Sequence, residues 1–358
     1  MTSIAHSVAA ESGRECRRSL PVSEWPAADR QSWEQAFRPG SRLIRGGAGS
    51  YLARVSRQDF AQRYGAFLGF LQRTDQLRQD MPPATQVTSA NVEAYMAELR
   101  TRVRSVTVWN NIYKLRRAAE LLSPTTDFSW LAEIEKDLAL VMVPISKSDR
   151  LVFAERLVEA GLTLMTEAQT FARSDFARAK GMRNGLMIAL LAFCPIRLKN
   201  FAALEIGSTF KEVHGRWWIT LPSVTTKSRR PDERCVPELL NNDIAFYLQK
   251  YRPILLRSKS NTAALWISAR TGSQLTTKNL GTLISKVTLA AVGVDVSPHL
   301  FRTAGATTAA TYGGDTPHLA SALLNHTDPR VTEEHYNRAS SITASKAYAE
   351  IINGFLRD

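Results

Sequence analysis

Residues 297–339 read SPHLFRTAGATTAATYGGDTPHLASALLNHTDPRVTEEHYNRA. Ser297-Pro298, Thr316-Pro317 and Asp328-Pro329 share one design, a capping side chain set directly before a proline. The side-chain oxygen accepts from a free N–H of the first turn. Proline, fixed near helical φ and lacking an N–H of its own, suits the first helical position. Three helix starts follow, with Gly313 and Gly314 ending the first helix. This punctuation sets His299 and Arg302 three residues apart on one helix face, in its opening turn, and Tyr336 on the third helix. At a helix start the amide hydrogens and the dipole favour an anion, so a phosphate docking there would meet an imidazole, a guanidinium fork and free amides together. An H-x-x-R pair also arises often by chance.

Working back along the chain, Pro195 ends a helix that runs from Met182 to Cys194, and Arg197 falls in the tight connection after it. Its surroundings, AFCPIRLKNFAAL (192–204), are strongly apolar. An isolated buried charge is expensive, so Arg197 must reach outward or find an anion; a structural ion pair satisfies that as well as a bound phosphate does. Residues 216–221, RWWITL, have the aromatic and β-branched content of a strand, with a partner strand expected around 234–237. The loop between them, TTKSRR (225–230), carries Lys227, Arg229 and Arg230. It is either a solvated charge run or a mobile ammonium that reaches a substrate; a lysine proton can leave, whereas an arginine proton is held too tightly.

Residues 143–149, VPISKSD, have the composition of a linker. Before them the pattern is helical from about residue 27 to 142. Apolar residues at helical spacing run through 51–71, Pro82 and Pro83 break the pattern, Ser89 caps a helix over 90–99, Ser105 or Thr107 opens another to Leu122, and 126–142 form a further amphipathic segment. The expected fold class is mainly α with a small β-hairpin or sheet, an α+β chain of two domains. Residues 1–26 are a flexible N-terminus, 27–142 a small helical bundle, 143–150 the linker, 151–340 the second domain and 341–358 an amphipathic tail helix.

The 358 residues carry 46 Lys plus Arg against 33 Asp plus Glu, a net charge of +13. An excess spread along the whole chain suits a protein that grips a phosphate backbone over a long footprint. The three cysteines, Cys16, Cys194 and Cys235, are scattered and form no CxxC pair, which predicts a reducing, cytoplasmic setting. The N-terminal residues lack the apolar core of a secretory signal, and the longest apolar run, 186–196, is too short to span a bilayer. No membrane role is expected. Neither a P-loop, nor an HExxH, nor a paired-cysteine zinc site is present, so no metal or other cofactor is expected.

Singly these signals are weak; their order is specific. Arg197, a hairpin Lys227, His299-x-x-Arg302, His326 and Tyr336 follow the active-site order of the tyrosine recombinases. The chain resembles that integrase and Xer-like family at SPHLFRTAGAT (297–307), similar to its H-x-L-R-H-T box, and at LLNHTDPRVTEEHYNRA (323–339), similar to its L-L-G-H…T…Y box. The resemblance covers 150–358 in motif detail and 27–142 in character only, as a helical core-binding, SAM-like domain ahead of a catalytic domain. Three departures stand out. Asn325 replaces the glycine before the second histidine. Asn200 replaces a carboxylate often found three residues after the first arginine. Tyr336 lies ten residues after His326 where nine is usual, a position held here by His335. One residue turns a helical side chain by about 100°.

The resemblance implies a site-specific recombinase that cleaves and rejoins DNA through a 3′-phosphotyrosyl link at Tyr336, without metal or ATP. Arg197 and Arg302 would clamp the non-bridging oxygens, His326 would add a hydrogen bond, His299 would assist proton movement from the phenol, and Lys227 would protonate the departing 5′ oxygen. It implies double-stranded DNA at specific sites as partner, a homotetramer on paired sites tied by the tail helix (apolar positions over 342–356), and accessory DNA-bending or directionality factors. In the N-terminal bundle, Arg102, Arg104, Asn110, Asn111, Lys114 and Arg117 are the candidate DNA contacts, Lys114 and Arg117 sharing one helix face with either Asn110 or Asn111, and Arg229 and Arg230 of the hairpin loop join them; a solvated face is an equal reading of the same residues. Two other functions fit the same motifs, a type IB topoisomerase-like enzyme and a DNA-binding accessory protein with an inactive site.

Overall fold

A computed structural model describes residues 18–144, 148–257, 261–312 and 319–325. By its contacts the chain divides into two compact units, residues 1–145 and 146–358.

The first unit is helical: α1 (Ala27–Ala36), α2 (Arg54–Arg73), α3 (Ser89–Arg102), α4 (Ser105–Leu122) and α5 (Ser129–Val141). The cap of α3 is Thr88, one residue before the expected Ser89, and its side chain accepts from Asn91 N–H. An aromatic core of Trp25, Trp33, Tyr64, Phe67 and Tyr95 joins α1, α2 and α3 through edge-on and tilted ring contacts. The buried carboxylate of Asp29 accepts from Tyr64 Oη at 3.0 Å and Ala84 N at 2.8 Å, which pins the loop before α3. Burial raises the Asp29 carboxyl above its ordinary range, with these two donors pulling it back.

The second unit opens with two long helices that pack together, α6 (Ala154–Phe171) and α7 (Asp175–Phe193). They pack through glycines: a Cβ on Gly185 would stand 2.5 Å from the Gly161 carbonyl, and one on Gly161 would stand 2.6 Å from Ala189 N. No side chain fits there, so the two backbones touch. The short α8 (Leu198–Ala202) follows Pro195. A three-stranded antiparallel sheet comes next, ordered β1 (Phe210–Val213), β2 (Arg216–Leu221), β3 (Asp232–Cys235). The predicted strand over 216–221 is β2, and its partner begins two residues earlier than expected. β1 was not read from the sequence; it pairs with β2 across the Gly215 turn.

A helix of 16 residues then bends through a π turn at Tyr247–Tyr251, between α9 (Asn241–Phe246) and α10 (Arg252–Leu256). After it come α11 (Thr277–Val292), α12 (Pro298–Tyr312) and α13 (Leu319–Leu324). The core of this unit is centred on α7, fully buried from Leu186 to Leu191, with Phe201, Trp266 and Phe301 around it. The mainly helical class with a small sheet is as the sequence predicts. Among the described residues no helix is long and apolar enough to cross a membrane.

Candidate active site

α12 begins at Pro298, as the Ser297-Pro298 pair predicts, and Leu300 N–H closes its first turn on the Ser297 carbonyl at 2.8 Å. His299 is its second residue and is exposed. Arg302 is the fifth, past the opening turn where the sequence put it, and it is 7% exposed. Its Nη1 donates to the Pro195 carbonyl at 2.5 Å and its Nη2 to the Leu324 carbonyl at 2.7 Å. One guanidinium thus ties α12 to the α7–α8 turn on one side and to the end of α13 on the other. Gly305 permits this approach: a Cβ there would stand 3.1 Å from Pro195 Cγ and 3.3 Å from Leu323 Cδ2.

Arg197 lies two residues after that same proline. It is the N-terminal cap residue of α8 in an extended conformation, and its carbonyl accepts from Asn200 and Phe201 N–H at 2.9 and 3.0 Å. Its side chain makes no capping bond and is half-buried, so the guanidinium is left to other partners. The two arginines sense one another. Burial first, then the Arg197 and Arg234 guanidiniums, bring Arg302 down from its ordinary value to about 10, while Asp232 pulls it up. A cation held in this way sits in a low-dielectric place among like charges, and an arriving anion relieves both penalties.

Lys227 is exposed in the loop between β2 and β3. The loop is organised by Thr226, 6% exposed, whose hydroxyl reaches the Ser223 carbonyl at 3.1 Å and the Arg230 carbonyl at 2.7 Å. Arg229 takes a left-handed φ of 55° beside it, and Arg229 and Arg230 are both exposed. Thr226 was not singled out from the sequence, though a threonine inside a charged loop is the residue type that bonds its own backbone. His326 and Tyr336 lie outside the described residues, as do His335, the helix starts at Thr316-Pro317 and Asp328-Pro329, and the tail over 341–358.

The structure therefore brings together Arg197 and Arg302 and puts His299 at the start of the helix that carries Arg302. Asp232 and Arg234, which sequence reasoning did not single out, bear on the electrostatics of Arg302. Among the described residues no group of three or more His, Cys, Asp or Glu could hold a metal ion.

In the first unit the candidate DNA contacts are mostly engaged locally. Lys114 pairs with Asp59, Arg117 with Glu120 at 2.6 Å and Arg102 with Glu98 at 3.0 Å. Arg104 is exposed and Asn110 half-buried. Of the alternatives Asn110 and Asn111, Asn111 is the inward one: it is 3% exposed, donates to the Thr107 carbonyl at 2.7 Å and accepts from Arg63 Nη1 at 3.3 Å. Neighbours 110 and 111 stand about 100° apart on a helix, so only one of them faces solvent with the arginines.

No family model matches the chain, and no curated protein matches it. Among solved structures it is similar to the XerA recombinase, at 16% identity over 84% of this chain and 94% of that one, with a TM-score of 0.37. It is also similar to a lambda integrase (75–356) dimer bound to a COC′ core site, at 12% identity over 81% of this chain and 90% of that one, with a TM-score of 0.44.

Proposed function

We propose that this protein is a site-specific DNA recombinase that cleaves and rejoins strands through Tyr336. One observation carries the reading beyond the motif order: Arg302 is buried and pinned to the Pro195 carbonyl, in the same turn that presents Arg197. Motifs 105 residues apart in sequence are thereby joined at one place, and what they form is a paired guanidinium site suited to a phosphodiester.

In this mechanism Arg197 and Arg302 neutralise the non-bridging oxygens as negative charge grows on the phosphorus centre. The Tyr336 oxygen attacks phosphorus, its proton passing toward His299, and His326 adds a hydrogen bond to the same phosphate. The bond from phosphorus to the 5′ oxygen breaks, and Lys227 gives that oxygen its proton. The 3′-phosphotyrosyl bond conserves the phosphodiester energy, so a 5′ hydroxyl from a partner strand reverses the step and completes exchange. Residues 27–142 act as the core-binding DNA domain and 151–340 as the catalytic domain. The substrate is duplex DNA at specific sites, engaged by a homotetramer in the cytoplasm.

A duplex library nicked just 3′ of a randomised stretch, with a 5′ label on the nicked strand, tests the proposal. The wild-type protein is expected to acquire an SDS-resistant label, and Tyr336→Phe to bind duplex equally well and acquire none. Label on Tyr336→Phe would move the nucleophile elsewhere. Binding without label in the wild type would favour an inactive accessory protein, which the ten-residue spacing from His326 to Tyr336 supports. Relaxation of a plasmid with one site, without exchange between two, would favour a topoisomerase-like enzyme.

A further inference from the structure

A run of charge that the roles above leave unused lies between α1 and α2. From Gln35 to Gln58 the chain carries Arg38, Arg42, Arg45, Arg54 and Arg57 and no carboxylate. Of the cations named above in this unit, Arg102, Lys114 and Arg117 are held by Glu98, Asp59 and Glu120. Among the described residues Arg38, Arg42, Arg45 and Arg54 pair with no carboxylate, and all four are exposed. Arg54 and Arg57 also stand in the first turn of α2, the end where the helix dipole disfavours a cation, and no acid offsets them there. Such an excess does not help folding and suits the capture of an anion.

The loop that carries this charge is closely built. Gly47 N–H donates to the Arg38 carbonyl at 3.0 Å, Gly49 N–H to the Ala36 carbonyl at 2.8 Å, and Ser41 N–H to the Ile44 carbonyl at 2.9 Å. The last bond closes a tight turn over 41–44, in which Ser41 Oγ accepts from Ile44 N–H at 3.2 Å. Glycines keep the two limbs thin: a Cβ on Gly40 would stand 2.6 Å from Gly46 N, and one on Gly47 would overlap the Gln35 carbonyl oxygen. At the base the Arg57 guanidinium lies over the Phe37 ring at 4.5 Å. At the tip Leu43 is 95% exposed and Ile44 65%. A narrow projection thus holds two large aliphatic side chains in water, with Arg42 and Arg45 on either side in sequence. It leads into the start of α2, where Asp59 binds Lys114 and Arg63 donates to Asn111 at 3.3 Å, so it arises beside the basic face of α4.

We infer that residues 38–47 form a wedge for the minor groove of duplex DNA: Leu43 and Ile44 enter between base steps, and Arg42 and Arg45 take the phosphates on either side. Aliphatic tips partly unstack a base step and kink the duplex, and flanking arginines answer the phosphates that line the groove. A tip two residues across is too small to fill a major groove about 12 Å wide and suits a minor groove of about 6 Å. From 38 to 47 there is no Asn, Gln, Asp or Glu to read a base edge, so the contact is to backbone and shape and tolerates many sequences. The inference rests on the proposed action on duplex DNA and adds a bend that the first unit itself imposes.

The test uses the full chain and a mixed-sequence duplex of about 30 base pairs with a donor dye on one end and an acceptor on the other. Energy transfer reports the bend, and Kd is taken over a range of salt. The wild type is expected to raise transfer on binding. Leu43→Ser with Ile44→Ser should melt like the wild type and keep its salt slope. It should bind on the order of tenfold more weakly and lose most of the rise in transfer. Arg42→Gln with Arg45→Gln should lower the salt slope by about 2, one phosphate for each arginine. A polyamide that fills the minor groove should weaken the wild type to the level of the tip variant. Equal bend and Kd in the tip variant overturn the inference, as does an unchanged salt slope in the arginine variant or a wild type indifferent to the polyamide. A tip variant altered only in self-association overturns it too, and makes the loop a contact between copies. Binding needs no Tyr336. Loop effects without adduct on nicked duplex selected from the library therefore remove strand cleavage and leave the wedge; adduct with unaffected loop variants removes the wedge alone.

Discussion

In the first unit Arg116 is held by carboxylates, Glu135 through Nε at 2.6 Å and Glu120 through Nη1 at 2.5 Å, whereas in the second unit Arg302 is held by the main-chain carbonyls of Pro195 and Leu324. The consequence shows in their acidity. Arg116 is driven above its ordinary value, first by its bond to Glu135, while Arg302 falls to about 10, first by burial. A carboxylate partner consumes the charge it holds. Carbonyl partners fix a guanidinium in place without neutralising its charge. Holding by carbonyls is not sufficient by itself, as Arg183 illustrates. It is 3% exposed, donates to the Ile267 carbonyl at 2.6 Å and to Asn184 Oδ1, and is lowered first by burial, with no cation among the causes. Arg183 closes α7 onto a loop. Arg302 closes α12 onto a turn that presents a second arginine.

The largest effect that follows is on catalysis. Arg302→Lys keeps a positive charge but loses the fork that spans Pro195 and Leu324. Single-turnover cleavage should fall on the order of 10³-fold, about 4 kcal/mol of barrier, with a far smaller change in duplex Kd. Loss of duplex binding in proportion to cleavage would make Arg302 a grip residue and break the comparison. Glu135→Gln should do the reverse. Removing the principal partner of Arg116 should lower unfolding free energy by about 1–2 kcal/mol in urea titration, leaving the cleavage rate per folded molecule unchanged.

A smaller effect concerns alkaline pH. Burial raises Tyr95 to about 12, and among the described residues its hydroxyl has no hydrogen-bond partner. Above pH 10 an unfolded tyrosine releases its proton while the folded one keeps it. The folded state then binds more protons, and stability declines as pH rises from about 10 to 12. Tyr95→Phe should remove roughly 1–2 kcal/mol of that decline without loss at neutral pH, measured as melting temperature against pH. An unaltered alkaline slope would mean that Tyr95 ionises in the folded protein as it does in solvent.

The features legible in the sequence are those with local causes. Ser297-Pro298 fixed the start of α12 to the residue, and RWWITL marked β2 because aromatic and β-branched residues suit a pleated face. β1, four residues of mixed character, exists because β2 offers it a partner, and nothing local announces it. The α3 cap moved from Ser89 to Thr88, since either hydroxyl satisfies the same pattern. Arg197, Lys227, His299 and Arg302 could be picked out as candidates by order and spacing alone. Asp232 and Arg234 could not, because PDER reads as an exposed polar turn until the register with β2 turns two of its residues inward. Which of Asn110 and Asn111 turns inward was not legible for the related reason that a helix face is defined to within one residue only by what packs against it.

The most direct measurement is the identity of the side chain that carries the DNA. Protein trapped on the selected nicked duplex is digested with nuclease and trypsin, and the residual nucleotide is located by tandem mass spectrometry. The account predicts a phosphotyrosyl nucleotide at Tyr336. A nucleotide on His335, on any other residue, or on none would contradict it.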